Sequence, residues 1–288
     1  MKIMALLAVM TNILSVGCAR AGVKDTVISD LPSSSYQNVA YGPDPKQVMD
    51  IYLPQGRTTT STKVLFLIHG GSWSGGDKYT FQGYVDSLKK FLPDYALVNV
   101  NYRLANFSTN KFPTQENDVK AAITQVMDRA DEYQVSKNIV LLGASAGAHL
   151  ALLHAYKYTE PAKPLAVISF FGPTDIEDLY NFPAYPQVPQ LLELLLGGSP
   201  TSNPTIYKQS SPVTFITSQS CPTLLFQGGK DLLVTPKQSA LLKDKLTAAG
   251  VVNELIVYPN EGHGWHGNNL GDSFQKITRF LSAHVDRD

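Results

Sequence analysis

One stretch, Gly143-Ala144-Ser145-Ala146-Gly147, constrains the fold of this chain more than any other. It follows the apolar run 138–142 and opens a helical pattern over 149–158. A strand that turns into a helix within five residues holds its central residue in a strained backbone conformation. The flanking positions must then be small enough to clear the neighbouring strand and helix. Such a turn lifts the Ser145 hydroxyl to the top of a sheet, with a backbone N–H and the start of a helix behind it.

The remainder of the chain reads as the sheet that this turn requires. Runs at 48–53, 63–68, 95–100, 165–171, 223–226 and 254–258 have the length and apolar content of strands, most of them buried on both faces. Helical patterns lie between them at 81–91, from Pro113 onward, around 239–249 and at 274–284. The clearest begins at Pro113, where Val119, Ala122, Ile123, Val126, Met127 and Ala130 recur at helical spacing. Strands alternating with helices predict an α/β fold with a mainly parallel central sheet and helices on both faces. A chain of 288 residues is long enough to bury such a core in one domain, placed at 36–288. Only 176–220 breaks the alternation, with Phe182-Pro183, Tyr185-Pro186, a leucine-rich run at 191–196 and further prolines. An excursion of that length suits a lid or pocket wall, because loops over strand ends carry binding surfaces.

Lys plus Arg equals Asp plus Glu at 24 each, so no net field recruits nucleic acid. At the N-terminus Lys2 precedes an apolar run over 3–16, and small residues lead to a cysteine in Ser15-Val16-Gly17-Cys18. The segment 1–18 resembles a bacterial lipoprotein signal with Cys18 as the lipidated residue, although Ser15 stands where leucine is usual; a plain secretory signal is the alternative. Residues 19–35 would then be a tether. Either signal implies export, and membrane contact would be confined to the lipid anchor. The second cysteine, Cys221, is expected to be a small buried hydrophobe.

A serine hydroxyl is a weak nucleophile unless a base takes its proton and a third group orients that base. Of six histidines, His149 and His154 ride on the helix after Ser145, His69 sits beneath a Gly-Gly loop and His284 lies in the last helix. His266 lies outside the small-residue turn that carries His263, in Glu261-Gly262-His263-Gly264 beyond the last strand. His263 is the candidate base. The candidate acid is Asp231, in Gln227-Gly228-Gly229-Lys230-Asp231 after the preceding strand, with Asp175 and Asp178 as alternatives. An oxyanion formed on attack needs preorganised N–H donors. The Ala146 N–H supplies one, and the His69-Gly70-Gly71-Ser72 loop can bring others close, because its glycines let backbone approach a ligand.

These stretches, together with Trp73, Asn101-Tyr102-Arg103-Leu104 and His149-Leu150-Ala151, resemble the α/β-hydrolase-fold serine esterases of the His-Gly-Gly branch. That branch includes hormone-sensitive-lipase-like and bacterial feruloyl-esterase-like carboxylesterases, and the likeness runs from about residue 48 to the C-terminus. The resemblance implies Ser145, Asp231 and His263 as a catalytic triad in the order that fold uses. It also implies Gly71, Ser72 and Ala146 as oxyanion donors, with Ser72 replacing the third glycine of the His-Gly-Gly-Gly form. Trp73 and Tyr102 are expected to contact substrate, and Phe182 and Tyr185 would suit a sugar or aryl face. The implied reaction is hydrolysis of small-molecule or carbohydrate-linked carboxylic esters, with no cofactor and no metal. The His-Gly-Gly-x-Trp form also resembles arylformamidases, so amide hydrolysis is the second reading and a silent, ligand-binding relative the third.

Overall fold

The computed structural model describes residues 31–106 and 108–286; the signal segment with Cys18, and the tether up to residue 30, lie outside the described residues. The strands are β1 (Ser34–Ala40), β2 (Val48–Leu53), β3 (Val64–Ile68), β4 (Ala96–Val100), β5 (Ile139–Ala144), β6 (Pro164–Phe170), β7 (Thr223–Gly228) and β8 (Asn253–Tyr258). Near-continuous Val, Ile, Leu and Phe bury the central strands β3, β4, β5 and β7 throughout. They form one sheet in the order β1-β2-β4-β3-β5-β6-β7-β8. β1 and β2 pair antiparallel, β2 runs antiparallel to β4, and every pairing from β4 to β8 is parallel.

Helices α1 (Gln82–Phe91), α2 (Thr114–Asp128), α3 (Ala130–Tyr133), α4 (Ala146–Lys157), α5 (Ile176–Asn181), α6 (Val188–Leu196), α7 (Pro204–Gln209), α8 (Pro236–Ala248) and α9 (Gly267–His284) cover the sheet. Strand alternation divides the core in two. Phe66 and Ile68 of β3 pack with Val119 and Ile123 of α2 and Leu150 of α4. On the opposite face Leu65 and Leu67 pack with Val85 of α1 and Phe274 and Ile277 of α9. A buried ion pair, Lys78 Nζ to Asp50 Oδ2 at 2.7 Å, joins β2 to the segment that follows the His-Gly-Gly loop.

Three features depart from the pattern expected of the sequence. β1 was not anticipated, because Ser34–Ala40 is a largely exposed, polar edge strand whose shape comes from its pairing with β2. It begins inside the stretch assigned to the tether. α9 starts at Gly267 rather than 274, and its first turns hold Gly267, Asn268, Asn269 and Gly271, residues with weak intrinsic helix preference. The 176–220 excursion folds into α5, α6, α7 and a 3-10 turn at Pro212–Phe215, with Leu192, Leu195 and Leu196 buried.

Candidate active site

Ser145 occupies the turn between β5 and α4 with φ 53° and ψ −123°, a left-handed conformation that costs a non-glycine residue energy. Two glycines make room for it. A Cβ on Gly143 would lie 2.3 Å from the Gly147 carbonyl oxygen, and one on Gly147 would lie 2.0 Å from the Ile68 carbonyl oxygen. The turn is also pinned to the sheet, since Ser145 N–H donates to the Phe170 carbonyl at 2.8 Å.

Two further strand ends supply its neighbours. The His263 loop follows β8 and rests on the end of β7, where a Cβ on Gly228 would come within 2.0 Å of the Gly262 carbonyl oxygen. Asp231 follows β7 and is 2% exposed. Its Oδ1 accepts the backbone N–H of Leu233 at 2.9 Å and of Val234 at 3.0 Å, and its Oδ2 accepts Gln227 Nε2 at 3.2 Å. His263 Nδ1 donates to Asp231 Oδ2 at 2.7 Å, which leaves Nε2 as the acceptor facing Ser145 Oγ at 2.8 Å. The Phe171 ring stands 4.6 Å from the imidazole and backs it. Asp175 and Asp178 are committed elsewhere. Asp175 caps α5 through the Asp178 N–H at 3.0 Å, and Asp178 pairs with Lys237 and Gln238.

The loop after β3 turns back over this group through three consecutive positive φ angles, 119° at Gly71, 53° at Ser72 and 58° at Trp73. Gly70 packs on the serine turn, where its Cβ would meet the Ala144 carbonyl oxygen at 2.9 Å. Among the described residues no acceptor takes the N–H of Gly71, Ser72 or Ala146, the last being the first helical residue of α4. His69 orients the loop from below. Its Nδ1–H donates to the Gly70 carbonyl at 2.7 Å, and burial holds the ring neutral by lowering its pKa.

Tyr102 does not contact the cleft as expected. It is 1% exposed, its ring stacks on His69 at 4.3 Å, and its hydroxyl donates to the His69 carbonyl at 2.9 Å. It is a pillar under the His-Gly-Gly loop, held there by that stacking and that hydrogen bond. Trp73 does line the cleft, although only 3% exposed. Its Nε1 donates to His149 Nδ1 at 3.1 Å, and His149 Nε2 donates to the Ser210 carbonyl at 2.6 Å. His149 thus links the His-Gly-Gly loop, the nucleophile helix and the 176–220 segment, a role that position on α4 alone does not disclose. The available clue was spacing, since His149 lies one turn beyond Ser145 and its N–H bonds the Ser145 carbonyl at 3.0 Å. Burial lowers the His149 pKa to about 4, so the ring is neutral and can accept from Trp73.

Beside Ser145 lies a small apolar cleft, walled by Leu179, Val188, Leu191 and Leu192 from the 176–220 segment and by Leu233 and Val234 from the Asp231 loop. Ser72 and Trp73 close its remaining side. Cys221 is buried away from this cleft, with its thiol pushed up to about 12 by burial. Among the described residues no group of three or more His, Cys, Asp or Glu is placed to hold a metal ion.

Similar proteins share this frame. Esterase LipC of Mycobacterium tuberculosis is 25% identical over 264 residues, covering 85% of this chain and 64% of that protein. Kynurenine formamidase of Meyerozyma guilliermondii is 28% identical over 232 residues, covering 76% of this chain and 83% of the formamidase. The solved structure of a bifunctional GH43-CE protein of Bacteroides eggerthii superposes with a TM-score of 0.74 at 28% identity, over 87% of this chain and 38% of that one. The chain spans between 48% and 64% of the length of the mycobacterial esterases it matches. Residues 49–246 match the BD-FAE family, a span that takes in the His-Gly-Gly loop, Ser145 and Asp231 and stops short of His263. That match covers well over half of the sequence and the sheet around it has α/β-hydrolase topology, so the chain belongs to the BD-FAE family.

Proposed function

We propose that the protein is a serine hydrolase that cleaves carboxylic esters of short acyl groups through an acyl-enzyme. The observation that carries this reading is the unbroken relay from Ser145 Oγ through His263 to Asp231, with links of 2.8 and 2.7 Å. Ser145 Oγ attacks the ester carbonyl as His263 Nε2 takes its proton. The resulting oxyanion would take the N–H groups of Gly71, Ser72 and Ala146, which have no other acceptor among the described residues; each such donor is worth roughly 10²–10³ in rate at comparable sites. His263 Nε2–H then protonates the leaving alkoxide, and the acyl group stays on Ser145. Water repeats the sequence with His263 again as base, releasing the acid. Asp231 keeps its charge throughout and stabilises the imidazolium.

The cleft beside Ser145 favours short acyl chains. Its walls are leucine and valine, and they leave little free space beside Ser145. The similarity to a kynurenine formamidase favours a second reading, in which the scissile bond is a formamide. A hydrolysis panel of p-nitrophenyl acetate, butyrate and decanoate with N-formylkynurenine separates the two. The expected result is turnover of acetate and butyrate ahead of decanoate, with Ser145→Ala lowering kcat by about 10⁴ or more. Selective turnover of the formamide, or activity that survives Ser145→Ala, would overturn the ester reading.

A further inference from the structure

We infer that His149 is a positioning residue of the oxyanion hole, holding the two segments that supply its N–H donors at a fixed separation through the Trp73 indole. The inference rests on the serine-hydrolase reading above and applies to an ester or a formamide alike, since both pass through a tetrahedral oxyanion.

The hole is assembled from two pieces of chain. Ala146 opens α4, whereas Gly71 and Ser72 belong to the loop after β3, so their N–H groups reach one oxygen only if loop and helix keep their spacing. Ser72 and Trp73 hold φ of 53° and 58°, left-handed values that persist in non-glycine residues only where surrounding contacts over-determine them. Trp73 is fastened at two points. Its carbonyl accepts the Ala105 N–H at 2.8 Å, and its indole donates to His149 Nδ1 at 3.1 Å. That acceptor stands on the helix that carries the third donor, one turn beyond the Ser145 carbonyl to which the His149 N–H donates at 3.0 Å. One side chain therefore spans the two halves of the hole.

The residue type fits the task. An indole N–H can only donate, and the Ser210 carbonyl can only accept. A neutral imidazole with its proton on Nε2 answers both, accepting at Nδ1 and donating to Ser210 at 2.6 Å. Both His149 and Trp73 are buried, so a partner lost from either bond leaves a polar group that solvent does not rescue. Their rings also meet edge to face, 5.1 Å between centroids at 87°, which adds packing to the hydrogen bond.

The test compares His149→Leu, Trp73→Phe and the double variant, with p-nitrophenyl acetate as substrate and a trifluoromethyl ketone as inhibitor. The ketone forms a tetrahedral adduct on Ser145 whose oxygen occupies the hole, so its Ki reports donor placement apart from turnover. His149→Leu should lower kcat about 10- to 100-fold with KM changed by less than about threefold, and should raise Ki by a factor similar to the loss in kcat. Trp73→Phe keeps an aromatic ring without the N–H and should move kcat and Ki the same way, so the test stands even if His149→Leu does not fold. The double variant should lose little beyond the worse single one. His149→Gln, whose amide offers an acceptor and a donor, should recover most of the loss. A fall in Tm with kcat and Ki within about twofold of wild type, or single losses that simply multiply in the double variant, overturns the inference. Fluorophosphonate labelling of wild-type Ser145 reports the serine-hydrolase reading separately. An unlabelled wild type sinks both readings, and a labelled wild type with unaltered variants sinks only the role of His149.

Discussion

At Asp231 the difference between a carboxylate and its amide decides which nitrogen of His263 carries the proton. The carboxylate accepts from Nδ1–H and so leaves Nε2 free to accept from Ser145. Asp231→Asn would keep the contacts from Leu233 and Val234 on the amide oxygen and turn the NH2 toward His263. The imidazole would then hold its proton on Nε2 and cease to be a base toward Ser145. The expected outcome is a fall in kcat on the order of 10⁴ with little loss of thermal stability. A kcat within tenfold of wild type, measured on p-nitrophenyl acetate, would show that the tautomer is set by something else. The same logic explains His149. Its neutral form, with Nε2–H directed at Ser210, is the one that lets Trp73 donate, and Trp73 immediately follows Ser72 of the His-Gly-Gly loop.

Among the elements, the β5–α4 turn and the β3 loop act as one unit, because each occupies space that a side chain on the other would need. Gly147 sits against the carbonyl oxygens of Ile68 and His69, and Gly70 sits against Ala144 and Ser145. Gly147→Ala would place a methyl 2.0 Å from the Ile68 oxygen, a backbone atom that cannot rotate away. α4 must then move off β3, taking Ser145 and the Ala146 N–H with it. This substitution should lower Tm and slow fluorophosphonate labelling of Ser145 together. An unchanged labelling rate in a destabilised protein would separate the packing from the site geometry. The 176–220 segment acts differently. α5 and α6 bring Leu179, Val188, Leu191 and Leu192 over the strand ends, so this excursion from the α/β pattern becomes a wall of the cleft beside Ser145.

For the whole molecule, the buried histidines predict how stability depends on acidity. Burial lowers the pKa of both His149 and His154 from 6.5 to about 4, with Lys157 and Lys120 respectively adding to the effect. Between those values the unfolded chain binds protons that the native state excludes, so stability rises with pH across that window. The contribution is complete above about 6.5 and declines as pH falls toward 4, where it levels off. Tm should therefore drop over this range, and His154→Phe should remove about one proton from the slope. Equal slopes in the two proteins, measured by thermal denaturation at matched ionic strength, would sink the assignment. Much of this architecture was legible in the sequence because it is written in local periodicity. The apolar runs mark β2 to β8, the Gly-x-Ser-x-Gly turn marks the elbow, and glycine-bounded loops mark where Asp231 and His263 stand. Other features became visible only when distant segments met. The edge strand β1 has no apolar signature and takes its form from β2. The loop order favoured Asp231 with Asp175 and Asp178 as alternatives, and the folded chain is what puts Asp231 against the imidazole. Tyr102 turned inward under His69, His149 found partners 76 and 61 residues away, and Leu179 and Leu233 came from different segments to line one cleft beside Ser145. Chain-local sterics and hydrophobic spacing determine which elements form and in what order. The contacts that build a site depend on which side chains share a space after the sheet closes, and no local pattern encodes that.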